Sequence, residues 1–326
     1  MKTRTLGQDG FTIGEVGLGC WQFGGDWGAI DEGTADEILS ASLACGVDFF
    51  DTANVYGGGR SEEWIGNFLS GRGESAVVAT KYGRGPEAYP DKHTEAGLRQ
   101  AIDESRRRLR VATIDLLQLH CIPISVLRTG DIFDWLRRAQ SDGIIRHFGA
   151  SVETVEEGML CLGQQGLLSL QVIFNLFRQK PAAELFPRAR EAGVGIIARL
   201  PLASGLLSGK FDASTKFPAT DHRNYNRDGQ AFNVGETFAG LTLAKGAELV
   251  GRLKPLVPSN MTMAQMAMRW ILDHEAVSVI IPGASSVAQA RENAAVSALP
   301  SLPGSLREEL ARFYCDEVHG HIRGPY

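Results

Sequence analysis

The chain has 326 residues, 44% of them hydrophobic, and a formal charge of -5 from 33 basic and 38 acidic residues. This composition supports one large core, and the interspersed charges leave no basic face for nucleic acid or an anionic membrane. The five cysteines are widely spaced without a CxxC motif, which predicts free thiols. The N-terminus lacks the apolar core of a signal peptide, and no run approaches the roughly eighteen apolar residues of a membrane span, so we expect a cytoplasmic protein.

The first predicted element is a hairpin over residues 3–13, in which Asp9-Gly10 is typical of a tight primed turn. Short, mostly continuous apolar runs then predict parallel strands covered on both faces. They are 16–20, 47–53, 76–82, 114–120, 145–151, 169–175, 194–200 and 277–281. Helical spacing of apolar residues predicts helices over 94–110, over 131–140 and near the C-terminus. This alternation favours a single (β/α)8 barrel domain over residues 1–326.

The segment from about residue 202 to 240 follows the seventh predicted barrel strand and is rich in Gly, Asp and Asn. It is too long for an ordinary connection, so we predict a lid over the barrel top.

Polar or small residues follow the carboxyl ends of the predicted strands, where barrel active sites lie. They are Asp51, Lys81, His120, Ser151, Asn175, Arg199 and Gly283. The stretch DTANVYG adds Tyr56 to this set. A tyrosine hydroxyl has an ordinary pKa of about 10, so a catalytic tyrosine needs a neighbour that favours phenolate. Lys81 is the candidate neighbour, Asp51 can hold its ammonium group, and His120 can orient a substrate oxygen, which predicts proton delivery to a carbonyl.

The motifs DTANVYG, ATKYG and LQLH resemble the aldo-keto reductase family, and the resemblance covers nearly the whole chain. The family's catalytic aspartate, tyrosine, lysine and histidine match Asp51, Tyr56, Lys81 and His120. The resemblance implies a (β/α)8 barrel with an N-terminal hairpin closing its bottom. It also implies NADPH or NADP, rather than NAD, bound extended across the barrel top, and a small carbonyl or alcohol, such as a sugar, as substrate.

The resemblance also implies individual cofactor contacts. Ser151 and Gln171 match the pair that holds the nicotinamide carboxamide, and PGASSVAQARENA matches the segment that binds the adenosine end. The implied contacts are Cys20, Trp21, Asp51, Ser151, Gln171, Arg199, Pro201, Leu202, Ser204, Lys210, Arg223, Gly283, Ser285, Gln289, Glu292 and Asn293.

Two departures from the family pattern concern the cofactor. Gly283 and Gln289 stand where some branches place a lysine and an arginine that grip the 2'-phosphate, so Lys210 and Arg223 in the lid are expected to supply those cations. Arg199 stands where many members stack an aromatic residue on the nicotinamide. Its guanidinium either covers the ring, favouring NADPH over cationic NADP+, or turns away to pair with a carboxylate from the loop.

Trp21, Trp27, Tyr82 and Phe174 are expected to line an apolar substrate pocket. No metal site is expected, because nothing completes a ligand set around the tail motif VHGH. Two other functions stay open. One is a cofactor-holding, redox-sensing regulator like the family's channel beta subunits; the other is an aldolase in which Lys81 forms a Schiff base. The sequence leaves the oligomeric state open.

Overall fold

The computed structural model describes residues 1–73 and 75–326. Within those residues, eight parallel strands form one sheet in which each strand pairs with the next along the chain. Parallel bridges from Val16 to Ile280 and from Gly19 to Gly283 join the first of these strands to the last. The sheet therefore closes into the predicted (β/α)8 barrel.

A separate antiparallel hairpin consists of β1 (Thr3–Thr5) and β2 (Thr12–Gly14). The barrel strands are β3 (Leu18–Gly19), β4 (Phe49–Asp51), β5 (Val77–Tyr82), β6 (Ile114–His120), β7 (Ile145–Ser151), β8 (Leu167–Ile173), β9 (Gly195–Arg199) and β10 (Val277–Ile280). Each of the eight apolar runs contains or overlaps one of them.

The helices surround the barrel. They are α1 (Glu32–Ala44), α2 (Arg60–Arg72), α3 (Glu95–Leu109), α4 (Ile124–Thr129), α5 (Asp131–Ser141), α6 (Val155–Leu162), α7 (Lys180–Glu191), α8 (His222–Tyr225), α9 (Leu243–Leu253), α10 (Met263–Leu272), α11 (Val287–Ala295) and α12 (Gly304–Phe313). The predicted helices over 94–110 and 131–140 are confirmed as α3 and α5, whose inward apolar residues are buried.

The hairpin closes the bottom of the barrel, where Leu6 and Ile13 pack among buried side chains from the strands. The tight turn predicted at Asp9-Gly10 is wrong. Leu6 N donates to Phe11 O at 2.8 Å, which leaves four residues in the loop, and Gly7 is the one with a left-handed φ of 71°. In this wider loop, the main-chain N–H of Gln8 donates to the carbonyl oxygen of Gly193 at 2.8 Å, which attaches the hairpin to the barrel.

The lid, residues 202–240, crosses the barrel top as short helical turns and α8. Tyr225 Oη donates to Asp26 Oδ1 at 2.8 Å and fastens α8 to the loop after β3. At the other end of the lid, the Arg323 guanidinium donates to Gly240 O at 2.9 Å and to Asp228 Oδ1 at 2.6 Å. The C-terminal segment therefore anchors the lid. In the described part of the chain, every helix is too short or too polar to cross a bilayer.

Candidate active site

Tyr56 reaches the barrel top through a tight turn after β4. Asp51 is the last residue of β4, and a single helical turn, Tyr56–Gly59, follows closely. Gly57 and Gly58 have φ values of 61° and 66°, which a side chain would oppose. These glycines let the chain reverse immediately after the tyrosine and enter α2.

Lys81, on β5, connects Asp51 and Tyr56. Its Nζ lies 2.6 Å from Asp51 Oδ1, 2.7 Å from the Thr52 carbonyl oxygen and 3.4 Å from Tyr56 Oη. The lysine side chain is 1% exposed and the aspartate 4%. The three side chains that the sequence predicted to act together are therefore in contact.

A pair of buried amides lies beneath this group. Gln118 Nε2 donates to Asp51 Oδ2 at 3.0 Å, and Gln171 Nε2 donates to the same oxygen at 2.7 Å. Ser151 Oγ lies 3.4 Å from Gln171 Oε1, so the two side chains that the resemblance assigns to the carboxamide are adjacent. No role was predicted for Gln118. Its position two residues before His120 on one strand, which puts both on the same face, was the available signal.

Burial and charge set the protonation of the central pair. Burial raises the pKa of Tyr56 above its ordinary value, and the nearby Lys81 ammonium opposes that rise without reversing it. Burial alone would lower the pKa of Lys81, but Asp51 and Tyr56 outweigh it and raise the pKa instead. The phenol is therefore protonated and the lysine charged at neutral pH, a direction opposite to the net lowering expected for Tyr56.

His120 ends β6 and faces Tyr56, with ring centroids 5.9 Å apart and planes at 86°. Burial lowers the pKa of His120 well below its ordinary value, and the cations Arg84, Lys81 and Arg199 lower it further. The imidazole is therefore neutral at physiological pH and can hydrogen-bond a substrate oxygen without carrying charge.

A cavity of about 630 Å³ opens above these residues. Tyr56 and His120 line it. So do most of the residues that the resemblance assigned to the cofactor: Trp21, Asp51, Ser151, Gln171, Arg199, Pro201, Leu202, Ser204, Lys210, Arg223, Gly283, Ser285, Gln289, Glu292 and Asn293. The cavity wall also includes side chains for which no role was predicted, among them Gln22, Arg84, Glu236, Gln265 and Met268.

Three predicted contacts lie in the core instead of the cavity. Cys20 is fully buried in the cluster between the barrel and its helices. Tyr82 is 1% exposed, because it is the strand neighbour of Lys81 and points to the opposite face. Phe174 stacks on Trp270 with ring centroids 4.9 Å apart, on the helix side of the sheet. The expectation that Tyr82 and Phe174 line a substrate pocket is wrong, and Cys20, which was expected to contact the cofactor, is not among the residues that line the cavity.

Trp21 and Trp27 do line the cavity. Their rings meet edge to face at 5.4 Å, and Trp21 also stacks beside Tyr56 at 5.9 Å. Trp21 Nε1 donates to Asp26 Oδ2 at 2.9 Å, and the lid residue His222 packs against both indoles. These aromatic rings form a rigid apolar wall next to the candidate proton donor.

Two arginines and two glutamates form a buried charge cluster beside His120: Arg84, Glu153, Arg199 and Glu236. Arg199 lies 3.3 Å from a Glu153 oxygen and 3.5 Å from a Glu236 oxygen. Arg84 lies 2.9 Å from Glu236 and 3.9 Å from Glu153. Of the two alternatives for Arg199, the structure supports the second, in which the guanidinium pairs with a loop carboxylate.

The two carboxyl groups of the cluster differ in acidity. Burial raises the pKa of Glu153 to about 7, and the neighbouring Glu236 carboxylate adds to the rise, while Arg199 and Arg84 oppose it without reversing it. Burial also opposes ionisation of Glu236, but Arg84 and Arg199 outweigh it and hold its pKa at about 2. The Cys121 sulfur lies within 4.8 Å of both groups, yet burial raises the pKa of that thiol to about 12. With the arginines already neutralising the carboxylates, these donors do not suit a metal ion.

The two lid cations predicted to bind phosphate differ in their surroundings. Lys210 is exposed at the cavity rim. Arg223 makes two contacts with Asp221, at 2.9 Å and 2.5 Å, and lies 4.3 Å from the Phe217 ring centroid. Lys210 therefore has the freer charge, whereas Arg223 is held within the lid.

Comparison with known proteins identifies the family to which the chain belongs. The Aldo/keto reductase family model matches residues 15–309. The uncharacterized oxidoreductase YqkF of Bacillus subtilis is 30% identical over 301 residues, 90% of each chain. A probable voltage-gated potassium channel subunit beta from Oryza sativa subsp. japonica is 28% identical, over 93% of this chain and 92% of the relative. The solved glycerol dehydrogenase AKR11B4 from Gluconobacter oxydans superposes with a TM-score of 0.78 at 28% identity, covering 99% of this chain and 98% of that one. The chain therefore belongs to the aldo-keto reductase family of oxidoreductases.

Proposed function

We propose that this oxidoreductase reduces an aldehyde or ketone to an alcohol with NADPH, using Tyr56 as the general acid. The observation that carries the proposal is the contact of one buried lysine with both partners: Lys81 Nζ is 2.6 Å from Asp51 and 3.4 Å from Tyr56 Oη, next to the neutral His120. This arrangement keeps the phenol protonated and ready to donate, and it places a cation beside the phenolate that forms when the proton leaves.

The residues around the cavity fit a dinucleotide. Its volume of about 630 Å³ exceeds the needs of a small carbonyl alone. Ser285 and Gln289 line the far end at the start of α11, where a helix N-terminus favours phosphate groups. Lys210 at the rim can pair with the 2'-phosphate, and Ser151 with Gln171 can hold the carboxamide.

When bound, NADPH supplies the hydride that reduces the carbonyl carbon. Tyr56 donates the proton to the carbonyl oxygen, and Lys81 stabilises the phenolate that remains. Asp51 fixes the position of the lysine. His120, being neutral, hydrogen-bonds the same oxygen and orients the carbonyl, and the indoles of Trp21 and Trp27 keep bulk water from the reacting atoms.

The same geometry argues against an aldolase. A Schiff-base lysine must be neutral, which requires a lowered pKa. The pKa of Lys81 is instead raised by its carboxylate and phenol neighbours, and its nitrogen contacts three oxygens.

The deciding experiment follows NADPH oxidation by the purified protein across a panel of aldehydes, ketones and sugars. Turnover with at least one class supports the proposal. The similarity to a channel subunit beta favours, as second candidate, a regulatory role in which the cofactor is held and not turned over. Tight NADPH binding without turnover on any carbonyl would support that second function instead.

A further inference from the structure

Arg84 is the cation of the charge cluster closest in sequence to the proposed catalytic group. It follows β5 three residues after Lys81 and lines the cavity together with Trp21, Trp27 and His120. Its side chain is 20% exposed, and it reaches the aromatic end of the cavity. The segments implied for the cofactor phosphates follow β9 and β10 instead. Arg84 therefore belongs to the wall that a substrate would meet.

The guanidinium of Arg84 is held in place by contacts that occupy only some of its N–H donors. Nη1 donates to Glu236 Oε1 at 2.9 Å, and the group lies over the Phe232 ring, 5.0 Å from its centroid. Its remaining contact with a carboxylate of the described residues is the 3.9 Å approach to Glu153. A guanidinium carries five N–H donors, so several are left for a ligand, and the group is already oriented to receive one.

The charges around Arg84 do not balance. A third arginine, Arg178, adjoins the cluster and is 1% exposed. It donates to the main-chain carbonyls of Glu153 and Pro325 at 3.2 Å and 3.3 Å and stacks on Tyr326. Among the residues that the structure describes, three arginines thus face two glutamates in a region shielded from water. A buried positive charge without an anionic partner is costly, so this region favours an incoming anion.

Two arginines of the cluster line the cavity, and Arg84, at 20% exposed against 10% for Arg199, is the more accessible of them. Arg178 and Glu153 lie behind the wall, whereas Arg84 lines the cavity beside His120. We infer that Arg84 is a specificity-determining residue that binds a carboxylate of the substrate, so that the preferred substrates are oxo acids, carbonyl compounds with an acid group beyond the reacting carbon. This inference rests on the proposed carbonyl reduction and names its substrate class.

The test compares each acid with its methyl ester, which has the same carbonyl and lacks the charge. The probes are 4-oxobutanoate and 5-oxopentanoate, assayed by NADPH oxidation at fixed pH and ionic strength. Wild type is expected to prefer at least one acid over its ester by tenfold or more in kcat/KM. Arg84→Gln should lower kcat/KM for that acid by about 10- to 100-fold and for the ester by less than about threefold, because charge-assisted hydrogen bonds are lost only with the acid. Arg84→Lys should recover part of the preference.

A second variant moves the preference in the opposite direction. Glu236→Gln removes a negative charge next to Arg84 and should increase the acid-to-ester ratio, which general damage to the fold cannot do. Arg227→Gln alters an exposed lid arginine outside the cavity and should leave the ratio unchanged. Equal losses for acid and ester in Arg84→Gln, or glyceraldehyde preferred over both acids by wild type, would overturn the inference in favour of a neutral, hydroxylated substrate.

Binding separates this inference from the proposed reaction. Calorimetric titration of 4-oxobutanoate into the NADP+-loaded protein needs no turnover. Weaker binding to Arg84→Gln than to wild type, by tenfold or more, supports the carboxylate site even if reduction fails. Reduction of both acid and ester at equal rates, with equal binding to the two proteins, would refute the site while leaving the proposed function standing.

Discussion

Lys81 donates a 2.6 Å hydrogen bond to Asp51 at a place where neither side chain is more than 4% exposed. Removing one partner of such a pair leaves an uncompensated buried charge. Asp51→Asn is therefore expected to lower the free energy of unfolding by about 3 kcal/mol or more. Urea denaturation measures this, with Asp103→Asn, at an exposed position, as the control. If Asp51→Asn lost no more free energy of unfolding than the control, water would be solvating the Lys81 charge in place of the carboxylate.

Tyr56 is expected to matter for chemistry and little for cofactor affinity. Tyr56→Phe keeps the ring beside Trp21 and removes only the proton donor. General acid catalysis contributes about 10²- to 10⁴-fold, so kcat for carbonyl reduction should fall at least that far. Fluorescence titration should give an NADPH dissociation constant within about threefold of wild type. Retention of most of the turnover would exclude Tyr56 as the acid.

Glu153 predicts a pH dependence of stability. Its pKa is raised to about 7 in the folded protein from an ordinary value of 4.5, so the folded state holds a proton that the unfolded state releases. Stability should therefore fall as the pH rises from about 4.5 through 7, by up to about 3 kcal/mol, and stay low above that range.

Glu153→Gln is neutral at every pH and should lack this decline. Urea denaturation of both proteins between pH 5 and pH 8 measures the difference between their free energies of unfolding. The contributions of most other titrating groups cancel in this difference because both proteins contain them. Glu156→Gln, at a 64% exposed neighbouring position, should keep the wild-type slope. Parallel stability curves for wild type and Glu153→Gln would mean that Glu153 is ionised throughout.

Lys210 and Arg223 should differ in their effect on cofactor preference. Lys210→Ala removes an exposed charge at the cavity rim and should weaken the binding of NADPH by about tenfold relative to that of NADH. Arg223→Ala breaks the pairing with Asp221 inside the lid and should weaken both cofactors alike. The dissociation constants for NADPH and NADH distinguish these two effects. Lys216→Ala, at an exposed position elsewhere in the lid, is the control. If Arg223→Ala selectively weakened the binding of NADPH, Arg223 would be the residue that binds the 2'-phosphate.

The barrel and its candidate catalytic group were predictable because both depend on local pattern. Parallel strands covered on both faces are continuous apolar runs, and functional residues follow their carboxyl ends. The same reasoning could have excluded Tyr82. Strand neighbours point to opposite faces, so once Lys81 faces the barrel interior, Tyr82 must face the helices.

The charge cluster was not predictable from such patterns. Arg84, Glu153 and Glu236 come from three loops after different strands, and no periodicity fixes how a loop folds back. Glu236 reaches Arg84 only because the lid crosses the barrel and is fastened at Asp26 and Arg323. The surroundings of Arg199, and therefore the choice between its two alternatives, depended on that long-range folding.

Arg199 is expected to have little influence on the redox state of the bound cofactor. Its positive charge would repel cationic NADP+ if it faced the nicotinamide alone, since two like charges about 4 Å apart repel by about 4 kcal/mol at an effective dielectric of 20. Glu153 and Glu236, at 3.3 Å and 3.5 Å, offset that charge. Arg199→Tyr should therefore change the ratio of the NADP+ and NADPH dissociation constants by less than about threefold.

Glu236→Gln removes the more acidic of the two carboxyl groups that contact Arg199, so the positive charge of Arg199 should then be less completely offset. NADP+ should then bind more weakly relative to NADPH, by about tenfold for each 1.4 kcal/mol of repulsion restored. Titration of both redox forms against wild type and the two variants measures the ratios directly. If Arg199→Tyr alone improved NADP+ binding tenfold relative to NADPH, the guanidinium would act on the nicotinamide despite its carboxylate partners. An unchanged ratio in Glu236→Gln would show that Glu236 is not the group that offsets it.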